Sequence, residues 1–491
     1  MRCPAADFWQ RGLAAVVLGA AVAVPSQAAE VRWGASVSPG VDLTDNICLD
    51  DNNKKVGWIY SLSPAADVTV RSRKTNLRAS AALNLNSLTN SQLNAKGCTG
   101  SFEDNRQNYF PNLRANGRTR VIDNLMDFNY AATIRQNEIT SRAAGGDDPF
   151  DRRGNQNTAY RYQVGPSINH RFKDLVRVTG RYTFDQQFNS SEFSRDSYRH
   201  RLNMDLANAS ESKWSRQVIG RYTRVHYGEN FNGITRQDTE LSSARVQIGY
   251  RFNRRFEVSG YYGREWNQFQ TTLNGRKDGP AWGYGVRWTP TPRTSVGLGG
   301  GDRFFGNTPR VDITHRHKRN SFRLSYQKRI TFDRDIRNED QGGFDNNIDN
   351  PSILSNGPIL DERWAGGWSY NARGFTASLT GNHSEQTRSE DGEKSLFKNL
   401  DFVVTPQISP GQNISFGLFW GVDEPRGAIN ELPDFDTRGD SETWRYRVTW
   451  SKQLNLKVGA SLAYVYTDRD GESDLNSYTE NRIFATLIFT L

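Results

Sequence analysis

The side chains with the most chemistry to offer are arginines that recur on one parity of alternating apolar and polar stretches. Arg71, Arg78, Arg118, Arg177, Arg181, Arg199, Arg201, Arg221, Arg245, Arg287, Arg316, Arg323, Arg445 and Arg447 all fall on the polar parity. A guanidinium stays charged, binds carboxylate or phosphate through a planar fork, and stacks on aromatic faces. Acids on the same parity are few: Asp67, Asp127, Asp205, Glu257, Asp312, Asp401 and Glu480. If that parity lines a channel, its wall is net positive and favours anionic or highly hydroxylated solutes. The alternative is that the arginines pair with inward acids and fill space, but there are too few such acids to neutralise them all.

Other constellations are weaker. His315 and His317 share one strand face and could ligate a metal, yet no third ligand lies near and the face is apolar. An interfacial histidine pair fits better, so no metal and no cofactor are expected. Residues 468–474 resemble a calcium loop faintly, without its spacing or its terminal bidentate glutamate. A solvated hairpin tip accounts for them. No nucleophile elbow, metalloprotease helix or phosphate loop occurs, and nothing argues for an enzyme. The basic residues follow strand periodicity instead of clustering in a patch with a recognition element, which argues against nucleic acid.

These arginines need strands to position them. The composition is Gly-rich and aromatic, with 43 Gly, 26 Phe, 19 Tyr and 12 Trp among 491 residues. Mean hydropathy is −0.74, a value compatible with a membrane barrel whose lumen and loops are polar. No apolar run is long enough for a spanning helix. From residue 31 to 43 each odd position is apolar, including Trp33, Val37, Val41 and Leu43. The next stretch, 58–70, carries its apolar residues on even positions, and the alternation persists to the C-terminal run 481–491, where Ile483, Ala485, Leu487, Phe489 and Leu491 alternate. Short connections near Asp123, Lys173, Arg254 and Ser409 alternate with long polar loops near Gly145, Glu229, Asp340 and Pro433. The pattern predicts an all-β fold: one antiparallel transmembrane barrel of about 22 strands (range about 18–24). Short turns would face the periplasm and long loops the exterior, with residues 31–43 and 481–491 closing the sheet. Trp282 and Trp288, like Trp444 and Trp450, are six residues apart, roughly 20 Å along a strand and enough to reach both membrane interfaces.

Residues 1–29 read as a secretory signal, with Arg2 and Arg11, an apolar core, and small residues permitting cleavage near Ala28 or Ala29. Residues 30–491 would be the barrel, reached without room for an N-terminal plug. Loss of two bases and one acid (Arg2, Arg11, Asp7) changes the formal charge from +9 to +8. Cys48 and Cys98 then remain in neighbouring outer loops. They are a candidate disulfide, with two free loop thiols as the alternative. The partners expected are outer-membrane lipid and the barrel-insertion machinery, with anionic polysaccharide as a candidate solute; the oligomeric state is open.

Several stretches carry a family resemblance: residues 37–46, residues 113–139, and the run 288–306 with Pro292, Arg293 and Thr294 at a turn and Arg303, Phe304, Phe305 and Gly306 at the shortest outer connection. Together they resemble the outer-membrane β-barrels that accompany PEP-CTERM/exosortase systems in exopolysaccharide-producing Gram-negative bacteria. The resemblance implies a context of polysaccharide secretion and surface-protein sorting, and it carries over no catalytic residue. Turn chemistry explains Gly306; Arg293 and Arg303 could be structural or face the lumen. The expected function is a passive conduit for exopolysaccharide or another anionic solute. The alternatives are a general porin or uptake channel and a non-conducting structural or adhesive barrel. The loop 332–358 is the candidate to fold inward and constrict the pore, which would put acids at the narrowest point.

Overall fold

The structure is a computed structural model. It describes residues 29–491 except 53, 89–107, 142–154, 192, 211, 229–237, 273–275, 338–350, 354, 356, 427–438 and 473–475. The expected signal peptide therefore lies outside the described residues, apart from Ala29, and β1 begins at Glu30.

The first strands are β1 (Glu30–Thr44), β2 (Gly57–Arg71), β3 (Thr75–Leu88), β4 (Tyr109–Ile122), β5 (Met126–Glu138), β6 (Gln156–Phe172), β7 (Val176–Asn189) and β8 (Ser197–Asn208). The next are β9 (Trp214–Tyr227), β10 (Thr239–Asn253), β11 (Phe256–Gln268), β12 (Gly279–Thr291), β13 (Thr294–Arg303), the two-residue β14 (Gly306–Asn307), β15 (Arg310–His317) and β16 (Asn320–Phe332). A single-turn helix, α1 (Asp333–Ile336), follows. The last strands are β17 (Pro358–Ala372), β18 (Phe375–Arg388), β19 (Lys394–Ser409), β20 (Gln412–Arg426), β21 (Ser441–Gln453), β22 (Val458–Gly471) and β23 (Tyr478–Thr490).

Every strand pairs antiparallel with its neighbour in sequence, and β14 is only a short ladder against the end of β13. The result is a closed barrel of 22 spanning strands. Closure is made by β1 and β23, in a register running from Ser36 opposite Thr490 to Thr44 opposite Arg482. The Leu491 N–H adds a bond of 2.9 Å to the Ala35 carbonyl. A closed sheet leaves no row of unpaired backbone groups, which a strand edge in hydrocarbon could not tolerate.

The alternation divides each strand into two faces. Trp33, Tyr262, Trp282, Tyr284, Trp288, Phe416 and Tyr446 are all exposed on the outer, lipid-facing parity. Toward the long-loop end that face turns polar: Lys328 pairs with Glu362 and Lys398 with Glu424. The row beneath is aromatic, with Tyr326 and Trp364 rings 4.6 Å apart. The apolar band therefore stops short of the outer strand ends, as expected for strands longer than the hydrocarbon needs.

Two-residue turns need a backbone that reverses tightly. Gly411, at φ 75°, supplies this between β19 and β20, in the left-handed region where a Cβ is costly. Gly306, at φ 100°, does the same at the short outer connection, as its turn chemistry predicted.

Candidate functional site: an arginine-lined lumen crossed at its outer mouth

The lumen has two unlike halves. Toward the short-turn end, Arg71, Arg78, Arg177, Arg181, Arg287 and Arg316 are exposed. Each lies on the inward parity, within six residues of a short-turn end. None makes a side-chain hydrogen bond or ion pair among the described residues. Arg323 lies at the same level, with Asp312 4.0 Å away, and Arg118 pairs with Asp127. This half keeps most of its positive charge available to a solute.

Midway up, the predicted arginines are held by partners. Arg221 is bonded to Asp205 at 3.0 and 3.1 Å. Arg245 stacks 5.1 Å from the Tyr261 ring centroid, Arg445 5.7 Å from Phe419, and Arg447 5.1 Å from Phe484. Guanidinium on an aromatic face keeps its charge while covering apolar surface.

In the outer half, base and acid interlock. Asp185 on β7 accepts from Arg161 at 2.6 Å, from Arg199 at 2.6 Å and from Arg334 at 2.6 Å. Arg199 also donates to Asp335 at 2.6 Å, and Arg201 stands 3.8 Å from the same carboxylate. Arg199 is 1% exposed, so this member of the expected basic wall presents no charge to a solute. Arg334 and Asp335 belong to α1, carried in from the end of β16. Neighbouring Arg337 donates to the Ile139 carbonyl at 3.2 Å, beyond the end of β5 and nearly opposite β16 around the ring. Ser141 extends the crossing: its carbonyl accepts from Arg469 on β22 at 2.8 Å, and its hydroxyl donates to Asp423 on β20 at 2.6 Å. Two segments, α1 and residues 139–141, joined by the Arg337 hydrogen bond, thus form a bar across the outer mouth from β7–β8 to β20–β22.

Ile336, Ile353 and Ile359 pack together under the bar, each at most 5% exposed. Burial raises the Asp335 carboxyl's proton affinity, but Arg199 first, then Arg161 and Arg201, overcome this and hold it down at about 2. Burial lowers Arg334 to about 10, although Asp185 opposes the shift. Both groups remain charged near neutrality, so the docked segment is an ionic latch. The expectation that the loop after Phe332 folds inward agrees with these contacts. Asp335 is spent on arginine pairs, while Glu339, Asp340, Asp345 and Asp349 of the same loop lie outside the described residues.

The count of inward acids needs correction. Asp42, Asp185, Glu265, Asp361 and Asp423 also lie on the inward parity, all buried. They sit near outer strand ends, where polar composition reads as loop; continuing the period-two parity by one or two residues finds them. Glu265 accepts from Arg303 at 2.8 Å, and Arg303 also lies 4.8 Å from the Phe305 ring centroid. Phe304 and Phe305 pack with Phe269 and Leu360. Arg303, Phe304 and Phe305 thus brace the short outer connection. Arg293 and Pro292 form an exposed turn at the other end, where the Arg293 carbonyl accepts from the Arg316 N–H at 2.8 Å. Thr294 shares hydrogen bonds with Thr291 at 3.0 Å and His315 at 2.9 Å.

His315 and His317 stack on the outer face, ring centroids 6.4 Å apart, and no group of three or more metal-ligating side chains occurs among the described residues. Cys48 is fully buried with Ile47, Ile59 and Phe110 and is disulfide-bonded; Cys98 lies outside the described residues. Residues 473–475 of the loop weighed for calcium also lie outside them.

No family model matches the chain, and no curated protein does. Solved structures do. The chain is similar to the siderophore receptor PirA from Acinetobacter baumannii, at 7% identity and TM-score 0.53, with 94% of this chain and 81% of that one covered. It is also similar to the FrpB iron transporter from Neisseria meningitidis (F5-1 variant), at 10% identity and TM-score 0.52, covering 94% and 82%. At these identities the likeness concerns the fold alone, a large closed β-barrel.

Proposed function

We propose that this barrel is a passive channel for anionic, hydroxylated solutes, closed at its outer mouth by the α1 latch in the conformation described. One observation carries the reading: the set of exposed arginines around the inner half of the lumen that have no partner among the described residues. Fixed charge of one sign in a confined passage enriches counter-ions and sets selectivity. Sorted by this field, carboxylate-bearing sugars enter ahead of neutral ones, and cations are repelled. The residues carry out no bond-making chemistry in this reading, and no enzymatic role is proposed.

The resemblance to exosortase-associated barrels favours export of acidic exopolysaccharide as the physiological task. Uptake is the second reading, favoured by the bar across the outer mouth and by the fold shared with proteins described as a siderophore receptor and an iron transporter. Planar-bilayer recording on the purified, folded protein tests the channel itself. The expected result is ion current with anions more permeant than cations. Absence of current, in wild type and in a latch-broken variant alike, would leave only the non-conducting surface barrel. Loss of exported polysaccharide in a deletion strain separates export from uptake.

A further inference from the structure

A cavity lies in the outer mouth where the α1 segment meets the wall. It is lined from the wall by Asn137, Gln187, Arg195 and Tyr227, and from the latch by Phe332 and Arg337, among others. Its volume is about 40 Å³, and it is open to solvent. A single water needs roughly 10–15 Å³ on this measure. The enclosed part therefore takes about three waters or one carboxylate with its adjoining carbon.

The hydrogen-bonding state of the lining is unusual. The Nε and Nη1 atoms of Arg195 are buried and have no partner, as are Asn137 Oδ1 and Gln187 Oε1. Asn137 is 3% exposed and Gln187 9%. The Arg195 side chain makes no ion pair with any described residue, and burial lowers its proton affinity. Two buried guanidinium nitrogens without a counter-charge are costly even on a half-buried side chain, whereas Arg199 nearby has two carboxylates. The Gln187 amide already donates to Asn189 at 3.1 Å, leaving only its oxygen to be met. The cavity thus lacks one anionic acceptor for Arg195 and hydroxyl donors for the two amide oxygens.

We propose that this cavity binds the carboxylate end of a hydroxylated carboxylate, in particular of an acidic sugar unit, with the carboxylate on Arg195, the nearest hydroxyls donating to Asn137 and Gln187, and the rest of the ring in the part open to solvent. This deepens the channel reading, since it names the solute class at one residue-level site and rests on that reading for its purpose. Because the lining comes from both wall and latch, an occupant favours the docked state.

The test is calorimetric titration of the folded full barrel in detergent with sodium galacturonate, galactose and inorganic phosphate. Saturable galacturonate binding is expected, with galactose at least ~10-fold weaker and Arg195→Gln weakening galacturonate by at least ~10-fold, the cost of one charge-assisted fork. Asn137→Leu, which removes an acceptor without touching charge, should weaken galacturonate too while sparing phosphate. If galacturonate does not bind the wild type, or binds it and both variants equally, the cavity holds water only and the proposal is overturned. Phosphate bound as tightly as galacturonate would also overturn it, by showing a simple anion trap. Titration needs no current, so a failure here with anion-selective conductance intact would reject this site alone, and silent bilayers with intact binding would reject the channel alone.

Discussion

The two halves of the lumen use the same residue for opposite purposes. At the outer end, Arg161, Arg199 and Arg334 converge on Asp185 and are consumed by it. At the inner end, Arg71, Arg78, Arg177, Arg287 and Arg316 face the lumen unpaired among the described residues. Buried ion pairs gain little net energy over a well-packed apolar core, but breaking one by removing a single partner costs about 3–5 kcal/mol. The outer arginines therefore fix geometry: they hold a loop in one place. The inner ones carry almost no structural responsibility and are free to act on whatever passes. Counting arginines by parity treats both sets alike; only the acids around them tell which charge is available.

Breaking the outer half should have the largest effect. Asp185→Asn leaves three guanidiniums without their shared carboxylate, so docking of α1 should weaken by about 3–5 kcal/mol. Single-channel conductance should rise, and protease should cut the loop after Phe332 faster. Unchanged conductance and unchanged cleavage would mean that the latch does not depend on this cluster.

Arg303→Ala should come next. It strands Glu265, which is 4% exposed, beneath the Phe304–Phe305 connection. Because Arg303 is itself about a third exposed, solvent moderates the loss, and a destabilisation of about 1–3 kcal/mol is expected. Thermal melting of the folded barrel in detergent reads this directly, with no change in ion selectivity.

A pH titration sharpens the comparison further. Docking lowers the Asp335 carboxyl from 3.8 to about 2, so its contribution is fully present above the undocked value and is lost as pH falls through about 2. Closure by this residue should persist from neutrality to about pH 4 and fail only in stronger acid; conductance recorded across that range should show it. Asp335→Asn should abolish the acid transition. The smallest structural effects belong to the inner half: Arg71→Gln, Arg177→Gln and Arg287→Gln should each change stability by no more than about 0.5 kcal/mol, while shifting permeability toward cations.

Much of this barrel is legible in the sequence because a strand's side-chain period is two and needs no long-range information. Val31, Trp33 and Val37 announce a lipid face as plainly as Ile483, Leu487 and Phe489 do, and the two runs do pair. The alternation of short and long connections gives the strand count for the same reason. What could not be read is which inward arginine meets which acid. Arg199 and Arg201 are two residues apart on the same face, yet one is sealed between Asp185 and Asp335 and the other is half-exposed. That difference is set by α1, whose Asp335 meets Arg199 across a sequence separation of 136. The Arg195 cavity was equally illegible, since a missing partner leaves no mark in a sequence. The inward acids at the outer strand ends were within reach, but polar strand ends and loops share a composition.

The central claim is that the unpaired inner arginines set anion preference, independently of the latch. It is tested most directly by reversal potentials under a potassium chloride gradient, measured for Asp185→Asn alone and combined with Arg71→Gln, Arg78→Gln, Arg177→Gln, Arg287→Gln and Arg316→Gln. The account predicts a chloride-selective reversal potential for the latch-broken protein, moving toward zero when the five arginines are neutralised. A cation-selective potential, or one that the five substitutions leave unmoved, would contradict it.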